Sequence, residues 1–282
     1  MGKNSLKKII HLYYWNQIID GKMNFGDMFS KDIVEYVSGA EAEHVKTDRP
    51  DKLLAVGSIL NHETLSSGGV VWGSGTMDPS DIVYNPKVRF CAVRGPLTRK
   101  ALIDKGYKVP SVYGDPVLLL PRIYNPQIPK THKLGIILHW RHRELLKIHP
   151  SVKYIDILRK PEDKFKFIDD ILSCERILST SLHGLIVSDA YGVPSKYCTV
   201  SNSKLEGKEH FKFNDYFESI GRKDTEPLPL HPGEIITENT FPGDVRNTNI
   251  NLDLDLLVDV FPYDLYREPN FIYRIKKLLE RK

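Results

Sequence analysis

Residues 175–200 read ERILSTSLHGLIVSDAYGVPSKYCTV: a short apolar strand, a polar turn, an apolar helix and a second apolar strand. ERIL and SKYCTV have strand length and composition, while Leu185, Val187 and Ala190 fall inward on a helix that Gly192 ends. A strand–helix–strand passage of this kind is the repeating unit of a parallel α/β sheet. The turn between strand and helix sits where unpaired backbone N–H groups and the positive end of the helix dipole favour a phosphate or carboxylate. Ser181, Leu182, His183 and Gly184 are therefore candidate anion-binding residues. The plainer alternative is that Ser179 or Ser181 caps the helix and His183 fills a first-turn position.

Working outward, the same alternation runs through most of the chain. Strands are expected at KKIIHLYY, KLLAVG, GGVVWG, VRFCAV, LGIILHW and VKYIDIL, with helices such as DMFSKDIVEYVSG, PLTRKALIDKG and PEDKFKFIDDILS between them. The last two helices open at proline, which suits a first helical position. PRIYNPQIPKTHK, residues 121–133, has three prolines and no apolar period, so a domain boundary is placed there, dividing the chain into 1–125 and 130–282. Residues 224–251 form a second irregular stretch, a surface wrap or a lid. The closing FIYRIKKLLERK sets Phe271, Ile272, Ile275, Leu278 and Leu279 opposite basic residues. Such a helix either docks on its own domain or touches anionic lipid.

Composition bounds the function. The 282 residues are 41% hydrophobic and 27% charged, enough for one large core or two ordinary ones. Forty basic against thirty-six acidic residues leave a net charge of +4, too mild to argue for nucleic acid. Cys91, Cys174 and Cys198 lack metal or disulfide spacing and fit a reducing cytoplasm. No Asp/His cluster has metal-ligand spacing either, and no cofactor or metal is expected. The basic, apolar start is too short for a signal peptide, and no window approaches the ~20 apolar residues of a membrane span. A cytoplasmic protein follows, soluble or peripheral at the inner face of the membrane, its oligomeric state left open.

Nearly every turn bearing Gly, Asp, His or Arg follows the carboxyl end of an expected strand, where open α/β sheets bind ligands. Asn24-Phe25-Gly26-Asp27 offers a close backbone approach at Gly26 and an N-cap at Asp27. Gly73-Ser74-Gly75 follows GGVVW. Arg94-Gly95-Pro96 presents a guanidinium that could clamp an anion bidentately, or a mere surface charge. Gly114-Asp115-Pro116 orients that arginine, binds a hydroxyl or simply turns the chain. His139 to Arg143, HWRHR, concentrates cations, Arg141 and Arg143 among them, at a strand end or forms a solvated charge run.

NFGD at 24–27, GSG at 73–75, RGP at 94–96, GDP at 114–116, SLHG followed by SDAYGVPS at 181–195, and KFNDY at 212–216 together resemble the polysaccharide pyruvyl transferase family, in family order over most of residues 10–220. The resemblance implies two Rossmann-like domains with parallel sheets facing a cleft, similar to GT-B glycosyltransferases. It also implies phosphoenolpyruvate as donor and a sugar of a surface polysaccharide such as a capsule or exopolysaccharide, often carried on a lipid, as acceptor. Some members carry arginine directly before the Leu-His pair, where this chain has Ser181; Arg94, Arg141 and Arg143 are the replacement candidates.

Ketal formation from an enol phosphate needs a proton at the vinyl carbon, a base for the sugar hydroxyl and anion clamps. His183 is the expected acid or base, its charge state open. Arg94 and Arg141 are expected to hold carboxylate and phosphate, and Asp27 to orient or deprotonate a hydroxyl unless it only caps its helix. Lys212 and Asp215 are a cleft pair or a solvated i,i+3 pair. Two rivals stay open on sequence: a GT-B glycosyltransferase using a nucleotide sugar, and a non-catalytic carbohydrate-binding protein.

Overall fold

The apolar runs assemble into two five-stranded sheets, seen in a computed structural model that describes residues 9–201, 210–243 and 249–266. The first sheet contains β1 (Ile10–Tyr13), β2 (Ala42–His44), β3 (Leu53–Leu54), β4 (Gly69–Trp72) and β5 (Val88–Ala92). All are parallel, in the order β2-β1-β3-β4-β5. The second contains β6 (Gly135–Leu138), β7 (Lys153–Asp156), β8 (Ile177–Ser179), β9 (Ser195–Val200) and β10 (Leu228–Leu230). It is parallel too, in the order β7-β6-β8-β9-β10. Counted within each sheet, both orders are 2-1-3-4-5. The winding direction reverses beside the first strand of each, and such a reversal opens a crevice at the strand carboxyl ends.

The α-helices of six residues or more are α1 (Phe25–Ser38), α2 (Pro96–Asp104), α3 (Lys164–Leu172), α4 (Leu182–Ala190), α5 (His210–Ile220) and α6 (Leu254–Asp259). Ile33, Val34 and Val37 bury one face of α1, and Gly39, in the left-handed conformation, ends it by donating to the Glu35 carbonyl at 2.8 Å. One apolar cluster runs through both sheets, taking in Ile10, Leu12, Phe29, Ile137, Ile171 and Phe217. The strands alternate about it. Val70 and Trp72 face this cluster while Val71 joins Leu102 in an outer one, and Ile137 faces it while Ile136 and Leu138 turn away.

Polar ties join the two sheet regions. Met23–Asn24 pairs antiparallel with Leu158–Arg159, Lys22 Nζ donates to Asp156 at 2.8 Å, and Lys164 Nζ donates to Asp32 at 2.7 Å. Late in the chain, α6 returns to the first sheet, where Trp72 Nε1 donates to the Leu257 carbonyl at 2.7 Å.

All eight expected strands are present, with adjusted ends. Two strands of the five-stranded sheets were not foreseen. β2 is three residues long with a single buried side chain, and β10 holds Pro229 inside the stretch read as irregular. Both are edge strands, where neither an apolar run nor a full set of N–H donors is needed. VKYIDIL breaks at Ile157 because the Asp156 carboxylate accepts from Leu158 N at 3.0 Å and turns the chain. Among the described residues no helix is long and apolar enough to cross a membrane. The closing segment 271–282 lies outside them.

Candidate functional site

The site grows from two helix starts. In α1 the N-cap is Asn24, whose Oδ1 accepts from Gly26 N at 3.0 Å. That corrects the sequence expectation for Asp27: the helix begins two residues earlier than DMFS suggested, and Asp27 is released from capping. It is 5% exposed and makes no hydrogen bond to any described residue. Burial first, and the Asp115 carboxyl second, hold its proton affinity well above the usual carboxylate range, against the opposing pull of Lys212.

In α4 the N-cap is Ser181, and no side chain caps the first turn. Ser179 Oγ instead accepts from Ser181 N at 3.0 Å and donates to the Ser181 carbonyl at 2.8 Å, shaping the turn. The first turn of Leu182, His183 and Gly184 thus has backbone N–H groups that no side chain caps, an arrangement that suits an anion. His183 is 9% exposed, without a hydrogen bond to any described residue. Burial, then the charges of Lys212 and Arg94, push its imidazole down to about 3, so it is neutral at pH 7.

The two helix starts touch. A Cβ on Gly26 would come 2.0 Å from His183 Nδ1, so the imidazole lies directly on a position that only glycine can occupy. On the other side, a Cβ on Gly57 would come 2.9 Å from Asp27 Oδ1.

The arginines divide sharply. Arg94 is fully buried: Nε donates to Asp215 Oδ2 at 3.0 Å, one Nη to Ser58 Oγ at 2.5 Å and the other to the Thr76 carbonyl at 2.9 Å. The expected anion clamp is thus a fully buried arginine, three of its five N–H donors engaged inside the protein. Asp215 is likewise interior. It accepts from Thr98 N at 2.8 Å and Thr98 Oγ1 at 2.7 Å, capping α2 in place of the side chain that its N-cap Gly95 lacks. Arg143 pairs with Asp20 at 3.2 Å. Arg141 is exposed, its guanidinium 4.7 Å from the centre of the Trp140 ring, with no ion pair to any described residue. Lys212 lies one turn before Asp215 on α5, and its charge acts on Asp27, His139 and His183 together.

GSG and GDP also serve packing. A Cβ on Gly75 would come 2.4 Å from the Arg94 guanidinium carbon, and one on Gly73 would strike Pro116. Ser74 is buried, its Oγ without a hydrogen-bond partner among the described residues. Asp115 caps the short helix Pro116–Arg122 through Oδ1, at 3.0 Å from Val117 N.

Gly57, which ends KLLAVG, and Ser58 after it were not singled out from sequence, although the strand-end rule applied to every strand would have found them. His139 Nδ1 accepts from Arg141 N at 3.3 Å; burial and the surrounding cations push the ring down to about 3. Among the described residues no group of three His, Cys, Asp or Glu is placed to hold a metal ion.

Comparison with known proteins bears on what this arrangement does. A family model described as polysaccharide pyruvyl transferase matches residues 18–202. The chain is 27% identical over 234 residues to an uncharacterized protein of Acanthamoeba polyphaga mimivirus, covering 78% of each. It is 28% identical over 223 residues to the succinoglycan biosynthesis protein ExoV of Rhizobium meliloti (strain 1021), covering 74% of this chain and 64% of that one. A functionally uncharacterized protein of Klebsiella pneumoniae superimposes with a TM-score of 0.44 at 10% identity, over 78% of this chain and 92% of that one, a likeness too slight to carry an argument.

Proposed function

Because the chain belongs to the polysaccharide pyruvyl transferase family and is thus a transferase, we propose that it moves pyruvate from phosphoenolpyruvate onto two hydroxyls of a sugar in a surface-polysaccharide precursor, forming a ketal. The observation that carries this reading is the contact of His183, in the uncapped first turn of α4, with Gly26, the residue before Asp27. Asp27 and His183 are both buried without a hydrogen bond to any described residue, one favouring its protonated and the other its neutral form, and both feel the charge of Lys212. Enol-phosphate chemistry needs an acid and a base side by side near an anion site.

Asp27 gives its proton to the methylene carbon of the donor, and positive charge develops at the adjacent carbon. The first sugar hydroxyl attacks there while its proton passes to His183. The imidazolium returns that proton to the departing phosphate as the carbon–oxygen bond breaks. The second hydroxyl then closes the ketal and its proton restores Asp27, so both residues end as they began. The α4 N–H groups, Lys212 and Arg141 hold the donor's anionic groups. The two sheets of like strand order act as Rossmann-like halves, 1–125 and 130–282, in a GT-B-like arrangement. The contact of Gly26 from one with His183 from the other supports a site between them. A lipid-carried saccharide is the acceptor that the family resemblance suggests.

Thermal shift and calorimetry with phosphoenolpyruvate and a panel of nucleotide sugars test the donor. Phosphoenolpyruvate alone should stabilise the protein, and Asp27→Asn or His183→Ala should lower turnover by about 10²–10⁴-fold in an NMR assay of the ketal methyl group. Stabilisation by a nucleotide sugar alone would move the protein to glycosyl transfer.

A further inference from the structure

The first residue of HWRHR stands at the mouth of α4. His139 follows β6 directly; its backbone N donates to Thr180 Oγ1 at 2.8 Å, while Thr180 N donates to the Ile137 carbonyl at 3.0 Å. That reciprocal pair holds His139 beside Ser181, the N-cap of α4. The buried His142, its Nδ1 3.0 Å from Thr180 Oγ1, engages the same threonine. Ile137 lies under the helix, where a Cβ on Gly184 would come 3.0 Å from Ile137 Cγ2. Side chains alternate along a strand, so His139 shares that face about 6–7 Å further on, past the helix start.

At its free nitrogen this ring can only donate. Nδ1 accepts from Arg141 N at 3.3 Å, which leaves the imidazole proton on Nε2, and Nε2 makes no hydrogen bond to any described residue. Around the α4 mouth stand backbone N–H groups that no side chain caps, and Arg141 with its guanidinium 4.7 Å from the centre of the Trp140 ring. Each is a donor and none an acceptor, the composition of an oxyanion site. A carboxylate offers two oxygens in one plane, which a single guanidinium fork fills; a phosphoryl group offers three and takes donors from several sides. We infer that His139 is a ligand of the donor's phosphoryl group, giving it one hydrogen bond from Nε2–H. This rests on the reading of the α4 first turn as the donor's anion site. Burial and the surrounding cations push His139 down to about 3, so at pH 7 it is a neutral donor. With its one lone pair spent on Arg141 N–H it has nothing left to take a proton, whereas His183 bonds to no described residue. The two imidazoles divide into ligand and base.

Long-range proton–nitrogen NMR of the full chain at pH 7, titrated with inorganic phosphate in the absence of acceptor, reads the ring directly. His139, assigned by the signal that His139→Gln or His139→Asn removes, should be the Nε2–H tautomer, and its Nε2 resonance should move as phosphate binds. His139→Asn, whose amide ends near the Nδ1 position, should weaken phosphate binding about tenfold, the lower end for a hydrogen bond to a charged group. His139→Gln sets an N–H near the Nε2 position and should recover most of that loss. In turnover the effect should fall on KM for phosphoenolpyruvate rather than on kcat, with the same rescue by glutamine; a proton-transfer role would lower kcat in both variants. An Nδ1–H tautomer, an Nε2 resonance that phosphate leaves unmoved, or equal losses in the two variants would overturn the inference. Protein that answers phosphate in this way yet turns over no phosphoenolpyruvate would sink the transfer reading and leave His139 standing as a phosphate ligand.

Discussion

The two sheet regions share one strand order and carry opposite chemistry. The first brings carboxyls whose proton affinity is raised, Asp27 and Asp115; the second brings imidazoles pushed down to about 3, His139 and His183. Burial is the leading cause in all four, since it disfavours whichever form is charged: the anion of an acid, the cation of a base. A repeated topology therefore supplies two equivalent places, strand ends at a winding reversal, and in the proposed reaction residue choice makes one the source of a proton and the other its acceptor. No sequence repeat announces this, because the 2-1-3-4-5 order needs only apolar strands and amphipathic helices in alternation.

The most severe way to break the comparison is to cut the bond between the halves. Arg94 comes from the first and Asp215 from the second, both fully buried. Arg94→Ala leaves the carboxylate with only Thr98 and should cost about 3–5 kcal/mol in urea unfolding. Arg94→Lys should recover little, since one ammonium cannot reproduce a planar fork reaching Asp215, Ser58 and Thr76 at once. A variant with wild-type stability would show that the halves are held by apolar packing and the other polar ties, with nothing added by this pair.

Next in size is the contact that brings acid and base together. Gly26→Ala places a methyl where the His183 ring lies, and α1 is fixed by its Asn24 cap, so the ring must move. A displacement of about 1 Å in a catalytic group costs on the order of 10²-fold in turnover. The loss should fall on kcat, with the melting temperature little changed if the imidazole swings outward. Unchanged kcat would mean that the His183 position in the free protein is not the one used.

These contacts mark what was readable in the chain. The strand-end turns lie where the alternation of KLLAVG, GGVVWG and LGIILHW put them, because burial of period-2 strands is a local property. The direction of each polar side chain was not readable. Arg94 looks like an anion clamp until its partner Asp215, 121 residues away, is seen. Asp27 and Asn24 are both good cap residues, and only the true helix start decides between them. Edge strands β2 and β10 escaped because an edge relaxes the pattern that reveals a strand.

The smallest expected effect separates the arginines within the second region. Arg141 and Arg143 are two residues apart, yet Arg143 is tied to Asp20 while Arg141 rests on Trp140 with its guanidinium in solvent. Stacking on the ring restricts Arg141 without consuming its hydrogen-bond donors, which leaves it beside His139 for an incoming anion. Arg141→Ala should therefore raise KM for phosphoenolpyruvate about tenfold, the lower end of what a charged hydrogen bond contributes, with kcat and melting temperature close to wild type. The increase should narrow as salt is added, because an exposed charge is screened. Arg143→Ala breaks a surface pair worth about 0–1 kcal/mol and should leave KM alone. Equal effects from both would mean that the HWRHR segment acts as a diffuse basic patch, and the distinction between a tied and an available arginine would carry no functional weight.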